Sequence, residues 1–193
     1  MPSKDTPEVE VRSRADLRAW LEANHASSGP VWLVVYKKHH DHYLSWDDLV
    51  SELLCFGWID SLRQRLDDDR SRQYISPRKP GGNWSGINKR KVALLEKSGL
   101  MTDAGRAVIE RAKQDGSWTY LDDIEALVIP DDLAALLATD AEAQVSFEAF
   151  PRSAKMGFLY WIKSAKTEAT RAKRLDGTLR AAQQDVRVPG QAK

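Results

Sequence analysis

Apolar residues along this chain switch between two periods, and the switches divide it into elements. After Ser13, Leu17, Trp20 and Leu21 recur at i, i+3 and i+4, which predicts a helix that closes before Gly29-Pro30. Residues 1–12 show no periodicity beyond Val9 and Val11 and read as a short strand or a frayed arm. The unbroken β-branched and aromatic run Val31-Trp32-Leu33-Val34-Val35-Tyr36 predicts a strand covered on both faces. Ser45 is placed as an N-cap before an acidic first turn, and Leu49, Leu53 and Phe56 give the buried stripe of a second helix ending at Gly57. Two alternating runs, 62–66 and 72–76, flank the polar segment 67–71, the pattern of an antiparallel hairpin. Pro77 ends that ladder because it has no N–H to donate.

Beyond the hairpin the period is helical. Gly81-Gly82 permits a turn, Ser85 stands as an N-cap, and Ile87, Lys91, Leu94 and Leu95 follow at helical spacing. Ser98-Gly99 reads as a C-cap, and Thr102 opens a further helix stopped by Asp115-Gly116. Leu133, Leu136 and Leu137, then Val145, Phe147 and Phe150, describe short helices broken near Thr139-Asp140. Ser153 is read as the cap of one long last helix bearing Phe158, Trp161, Ile162 and Ala165, continued by a basic stretch to Arg180. The fold class expected is α+β: a small N-terminal sheet with a β-hairpin and two helices, followed by an all-helical C-terminal part. The division expected is an α/β part over 1–80, a helical part over 81–185 packed as one unit with it, and a flexible tail over 186–193.

Composition bounds the partners. At 193 residues, with 42% hydrophobic and 30% charged residues, the chain has the balance of a globular protein with a real core. A net charge of +1 argues against nucleic-acid binding by bulk charge. The signs are unevenly spread: residues 115–150 hold nine acidic and no basic residues, whereas 152–180 hold eight basic residues against Glu168 and Asp176. That basic stretch is either neutralised by acidic helices beside it or open to an acidic partner. The start lacks an apolar leader segment and no run approaches the roughly eighteen apolar residues of a membrane span, so a cytoplasmic setting without a membrane span is expected. The lone cysteine, Cys55, reads as a buried small hydrophobe.

Candidate chemistry is sparse. No phosphate-loop, dinucleotide, nucleophile-elbow or zinc-helix motif occurs. His39, His40 and His42 share a polar loop, but adjacent histidines in a loop do not converge as an i, i+4 pair does, so no metal and no cofactor is expected. Asp67-Asp68-Asp69 lacks the alternate ligands of a calcium loop and is the hairpin turn. Asp60, read as lying at a helix end, is either a clamp for Arg78 or a general base; an ion pair accounts for both residues without a reaction. Trp20, Trp32 and Trp161 sit at core positions, whereas Trp58 and Trp84 lie at element ends and read as packing lids or cleft walls.

Phe56-Gly57-Trp58-Ile59-Asp60-Ser61, Pro77-Arg78, Trp84-Ser85-x-x-Asn88, Gly99-x-Met101 and Ser164-Ala165-Lys166-x-Glu168-x-Thr170-Arg171 together resemble the YdeI/OmpD-associated, or bacteriocin-protection, family from about Ser13 to Arg180. The resemblance implies tolerance to bacteriocins or cationic antimicrobial peptides and supplies no catalytic residue. It departs at Gly82, where the family commonly carries a serine two residues before the motif tryptophan. The family's envelope association conflicts with the missing leader.

The functional expectation is a non-enzymatic bacterial stress-tolerance or binding protein with a small anionic ligand. Arg78, Asn88, Lys166 and Arg171 would bind it beside Asp60 and the Ser85 helix start, with Trp58 and Trp84 as walls. The alternatives are an enzyme acting on a small phosphorylated or carboxylated metabolite, with Asp60 as base, and nucleic-acid binding through the basic stretch. Nothing in the pattern sets an oligomeric state.

Overall fold

A computed structural model describes residues 3 and 5–192. The α+β expectation holds: a small four-stranded sheet with helices comes first and a mostly helical part follows. Close contacts divide the chain at Tyr120 and Leu121 into two compact units. Residues 81–120, grouped by the sequence reading with the helical part, thus lie in the first unit.

The first unit opens with β1 (Glu8–Glu10), α1 (Arg14–Asn24) and β2 (Val31–Tyr36), and β1 pairs parallel to β2. Ser13 caps α1 by accepting from the Asp16 amide at 3.1 Å. Next come α2 (Trp46–Cys55), β3 (Trp58–Arg65) and β4 (Arg70–Pro77); the hairpin places β4 between β2 and β3, antiparallel to both, in the order β1-β2-β4-β3. The ladder slips between Asp60 and Arg63, a bulge. Strand β3 begins at Trp58, so Asp60 stands on a strand and not at a helix end.

The inner face of the sheet carries Val31, Leu33, Val35 and Ile75, packed in one core with Leu49, Leu53 and Leu54 of α2. The expectation that β2 is covered on both faces holds, and the outer cover is not a second helix layer. Trp32 and Val34 are buried but stand outside that core, and Trp32 is covered by the Arg72 guanidinium at 4.5 Å and by Tyr74 at 5.2 Å. A continuous apolar strand here means a helix layer on one side and a cation–aromatic cover on the other.

Two helices complete the unit, α3 (Gly86–Lys97) and α4 (Asp103–Gln114). Ser85 and Thr102 cap them as expected. The inward stripe of α3 is Val92 and Leu95; of the residues noted at helical spacing, Ile87 and Leu94 are exposed. Thr102 Oγ1 also donates to the Cys55 carbonyl at 2.5 Å, so the cap of α4 satisfies the end of α2. That close approach requires Gly105: a Cβ there would meet the Cys55 carbonyl, the Leu54 carbonyl at 2.8 Å and Met101 Sδ at 2.7 Å.

The second unit contains α5 (Asp122–Glu125), α6 (Asp131–Leu137), α7 (Ala141–Ala149), α8 (Arg152–Lys163) and α9 (Glu168–Gln183). Phe147, Phe150 and Phe158 form its aromatic centre, with ring centroids 5.5 to 6.1 Å apart. The single long last helix of the sequence reading is two helices. Thr167 caps α9 by accepting from the Thr170 amide at 3.1 Å, and the position before α8 is Pro151, with Ser153 already inside the helix. The residues after α9 are tied in part, the Val186 amide donating to the Ala181 carbonyl at 2.8 Å. Among the described residues no helix is long and apolar enough to cross a membrane.

Candidate functional site

In the first unit the end of α2, the start of β3, the end of β4 and one face of α4 border an open cavity of about 470 Å³. Gly57 makes the corner. Its φ of 72° is one a side chain resists, and a Cβ there would lie 2.6 Å from Val108 Cγ2. The Gly57 carbonyl accepts from the Arg78 amide at 2.9 Å, which fixes Arg78 one residue past the strand.

The Arg78 side chain is only 7% exposed. Its guanidinium lies over the Trp84 ring at 3.8 Å, and Trp84, itself 1% exposed, packs against Trp118 at 5.0 Å. One terminal nitrogen donates to the Asn83 carbonyl at 3.4 Å, while Nε is buried with no partner. Among the described residues no carboxylate forms an ion pair with it. Burial lowers its pKa to about 10, and the charge of Asp60, which acts the other way, does not offset this.

Around Arg78 the walls are apolar on one side and cationic at the mouth. Phe56, Trp58 and Val108 line it, and the exposed Lys79 and Arg111 add positive charge; none of the lining residues is a carboxylate. Arg111 also donates to the Arg78 carbonyl at 3.4 Å. Trp58 is held by its indole N–H on the His25 carbonyl at 3.3 Å and by an edge contact with Trp20 at 5.6 Å. His25 Nδ1 lies 2.9 Å from the Leu21 carbonyl, and since a carbonyl only accepts, that nitrogen carries the proton. The arrangement sets a fixed, largely buried guanidinium in the wall of a mostly apolar hollow with Lys79 and Arg111 beside it, a positively charged setting suited to an anion.

Of the residues singled out from the sequence, Trp58 and Arg78 border this cavity and Trp84 backs it. Asp60 is engaged elsewhere: its Oδ2 accepts from Trp46 Nε1 at 3.1 Å and from Gln73 Nε2 at 3.5 Å, so the expected clamp on Arg78 is not an ion pair. Ser85 is spent on its cap, accepting from the Asn88 amide at 3.3 Å, and the half-buried Asn88 is not among the lining residues. Lys166 and Arg171 belong to the second unit. Lys166 is exposed, and Arg171 makes a two-pronged pair with Asp132 at 2.7 and 3.0 Å, which holds the Asp132 carboxyl below its ordinary range. The sequence reading missed Arg111, Val108 and His25, because nothing in the local pattern brings residues 25, 57, 78 and 111 together.

The histidine loop is an aromatic cluster. His40 stacks beside Tyr36 at 4.2 Å, and His39 Nε2 meets Asp69 at 3.1 Å. Among the described residues no group of three or more ligating side chains is placed to hold a metal ion. Burial raises the Cys55 thiol, which disfavours its nucleophilic form.

Two family models match the chain. Residues 126–185 match the family described as Bacteriocin-protection, YdeI or OmpD-Associated, a narrower span than the resemblance from Ser13 to Arg180. Residues 9–108, which contain the motifs around Trp58, Arg78 and Trp84, match a different one, the Domain of unknown function (DUF8412). No curated protein and no solved structure matches the chain. The second match covers just over half of the 193 residues, so the chain belongs to the DUF8412 family and carries, in its helical second half, a domain of the bacteriocin-protection, YdeI or OmpD-associated type.

Proposed function

We propose that this is a non-enzymatic, cytoplasmic bacterial protein of the bacteriocin-protection type, acting in tolerance to bacteriocins or cationic peptides, and that its first unit binds a small anion at Arg78. The observation that carries the anion reading is a buried guanidinium whose Nε has no partner and which, among the described residues, forms no ion pair with a carboxylate. A charge buried without a partner is costly, and proteins retain such groups where a ligand completes the pair. The rival reading, an enzyme with Asp60 as base, finds less support, because Asp60 is already bonded to Trp46 and Gln73 and is not among the residues lining the cavity.

Thermal melts with sulfate, phosphate and benzoate at millimolar concentration test the reading. At least one anion should raise the melting temperature of the wild-type chain by mass action, and the rise should vanish in Arg78→Met. Sulfate and phosphate also stabilise proteins generally by exclusion from the surface, so a rise that persists in Arg78→Met counts against the site. No rise with any of the three overturns it. For the cellular role, a strain lacking the gene should regain bacteriocin tolerance with the wild-type chain and not with Arg78→Met.

A further inference from the structure

We infer that the Arg78 cavity takes a monocarboxylate with a ring-sized apolar body; this rests on the anion reading above. Three observations narrow the ligand class. First, the guanidinium is pinned face-down on Trp84 at 3.8 Å and one terminal nitrogen is used by the Asn83 carbonyl, so the donors it has left lie along its edge, where Nε is unpartnered but itself sealed from solvent. One donor edge suits the planar oxygen pair of a carboxylate, whereas a phosphate or sulfate brings further oxygens that each need a donor.

Second, Ser76 lines the cavity with a hydroxyl beside the cationic Lys79 and Arg111, but the rest of the wall that further oxygens would meet is mostly apolar, Phe56, Trp58, Pro77, Pro80 and Val108, with the Trp58 indole N–H spent on His25. Polar oxygens placed there would lose water without replacement, while an aromatic or aliphatic body would gain contact. Third, a volume of about 470 Å³ lies within the range of roughly 300–1,000 Å³ typical of small-ligand clefts. Lys79 and Arg111, exposed near the mouth, attract an anion without selecting its shape.

Calorimetric titration of the 193-residue wild-type chain with benzoate, acetate, inorganic phosphate and benzamide separates the possibilities. Benzoate should bind about tenfold or more tightly than acetate, which lacks the ring, than benzamide, which lacks the charge, and than phosphate, which has the wrong shape. Arg78→Lys keeps a cation but loses the planar edge and should weaken benzoate about tenfold. Phosphate binding as tightly as benzoate, with both lost in Arg78→Met, would overturn the carboxylate class and leave the anion site standing. Equal binding of benzamide and benzoate, or no binding of any of the four, would remove the anion reading as well. The ranking is measured on the wild-type chain, so it does not depend on how well either variant folds.

Discussion

At Arg78 burial outweighs the pull of Asp60 and lowers the guanidinium from its ordinary range to about 10. A cation whose folded pKa is depressed is a cost to the fold. Below about pH 10 both states carry the proton and the cost is constant; above about 10, until the unfolded chain titrates in its turn, only the unfolded chain keeps it, so stability rises with pH there. At neutral pH the cost is roughly 3 kcal/mol, offset by about 1–2 kcal/mol from the Trp84 stack and the Asn83 hydrogen bond. Arg78→Met should therefore raise the unliganded stability by about 1–2 kcal/mol while removing the response to anions, as functional sites often trade stability for binding. A chemical denaturation midpoint lower than wild type would show that the guanidinium is already compensated. Gly105 is the opposite kind of residue, needed for packing alone. Gly105→Ala would push a methyl against the Leu54 and Cys55 carbonyls, and should cost roughly 3 kcal/mol by the same measurement, because backbone on both sides cannot yield.

Between α1 and α2 a buried ionic pair fastens the elements that position the cavity corner. Glu52 is 1% exposed on α2 and accepts from Arg14 Nε at 2.6 Å and from Arg18 at 3.0 Å, both on α1. Removing the carboxylate leaves Arg14 with Asp48 and Arg18 with Glu22 but loses two charge-assisted hydrogen bonds at once, so Glu52→Ala should cost about 2–3 kcal/mol, whereas Arg14→Ala should cost less because Arg18 still pairs Glu52. Equal costs in urea melts would contradict a shared carboxylate. Elements built by neighbours in sequence were legible: Ser13, Ser45, Ser85 and Thr102 each cap a donor three residues on, and the hairpin shows in its own alternation. Elements decided by distant partners were not. The cover over Trp32 comes from Arg72 and Tyr74, and the pairing of Glu52 from a helix 34 and 38 residues earlier. The break before α9 was visible as Thr167-x-x-Thr170 but was masked by an unbroken run of helix-favouring residues. At the candidate site the sequence marked Arg78, Trp58 and Trp84 by their punctuation. The other wall, Val108 and Arg111, comes from α4 and is set only by the helix contact at Gly105.

At the scale of the whole chain, the two units differ in what a ligand at Arg78 would report. Six of the seven tryptophans, and every residue lining the Arg78 cavity, lie within residues 1–120. A ligand that binds the folded first unit suppresses its opening by about 2.7 kcal/mol at one hundred times its dissociation constant. Amide exchange follows that opening, so slowing should be strongest where the ligand closes backbone to the cavity. The amides of Gly57 and Arg78 stand at that corner, the latter bonded to the Gly57 carbonyl. Hydrogen exchange of the full chain with saturating benzoate, read by mass spectrometry, should therefore slow peptides spanning 54–60 and 75–84, and Arg78→Met should abolish the effect. Protection confined to 121–193 would move the site to the bacteriocin-protection domain, where Arg171 and Lys163 border a smaller apolar cavity of about 260 Å³. The existing Arg171–Asp132 pair argues for the first outcome: its cation is already neutralised, whereas the charge on Arg78 is not.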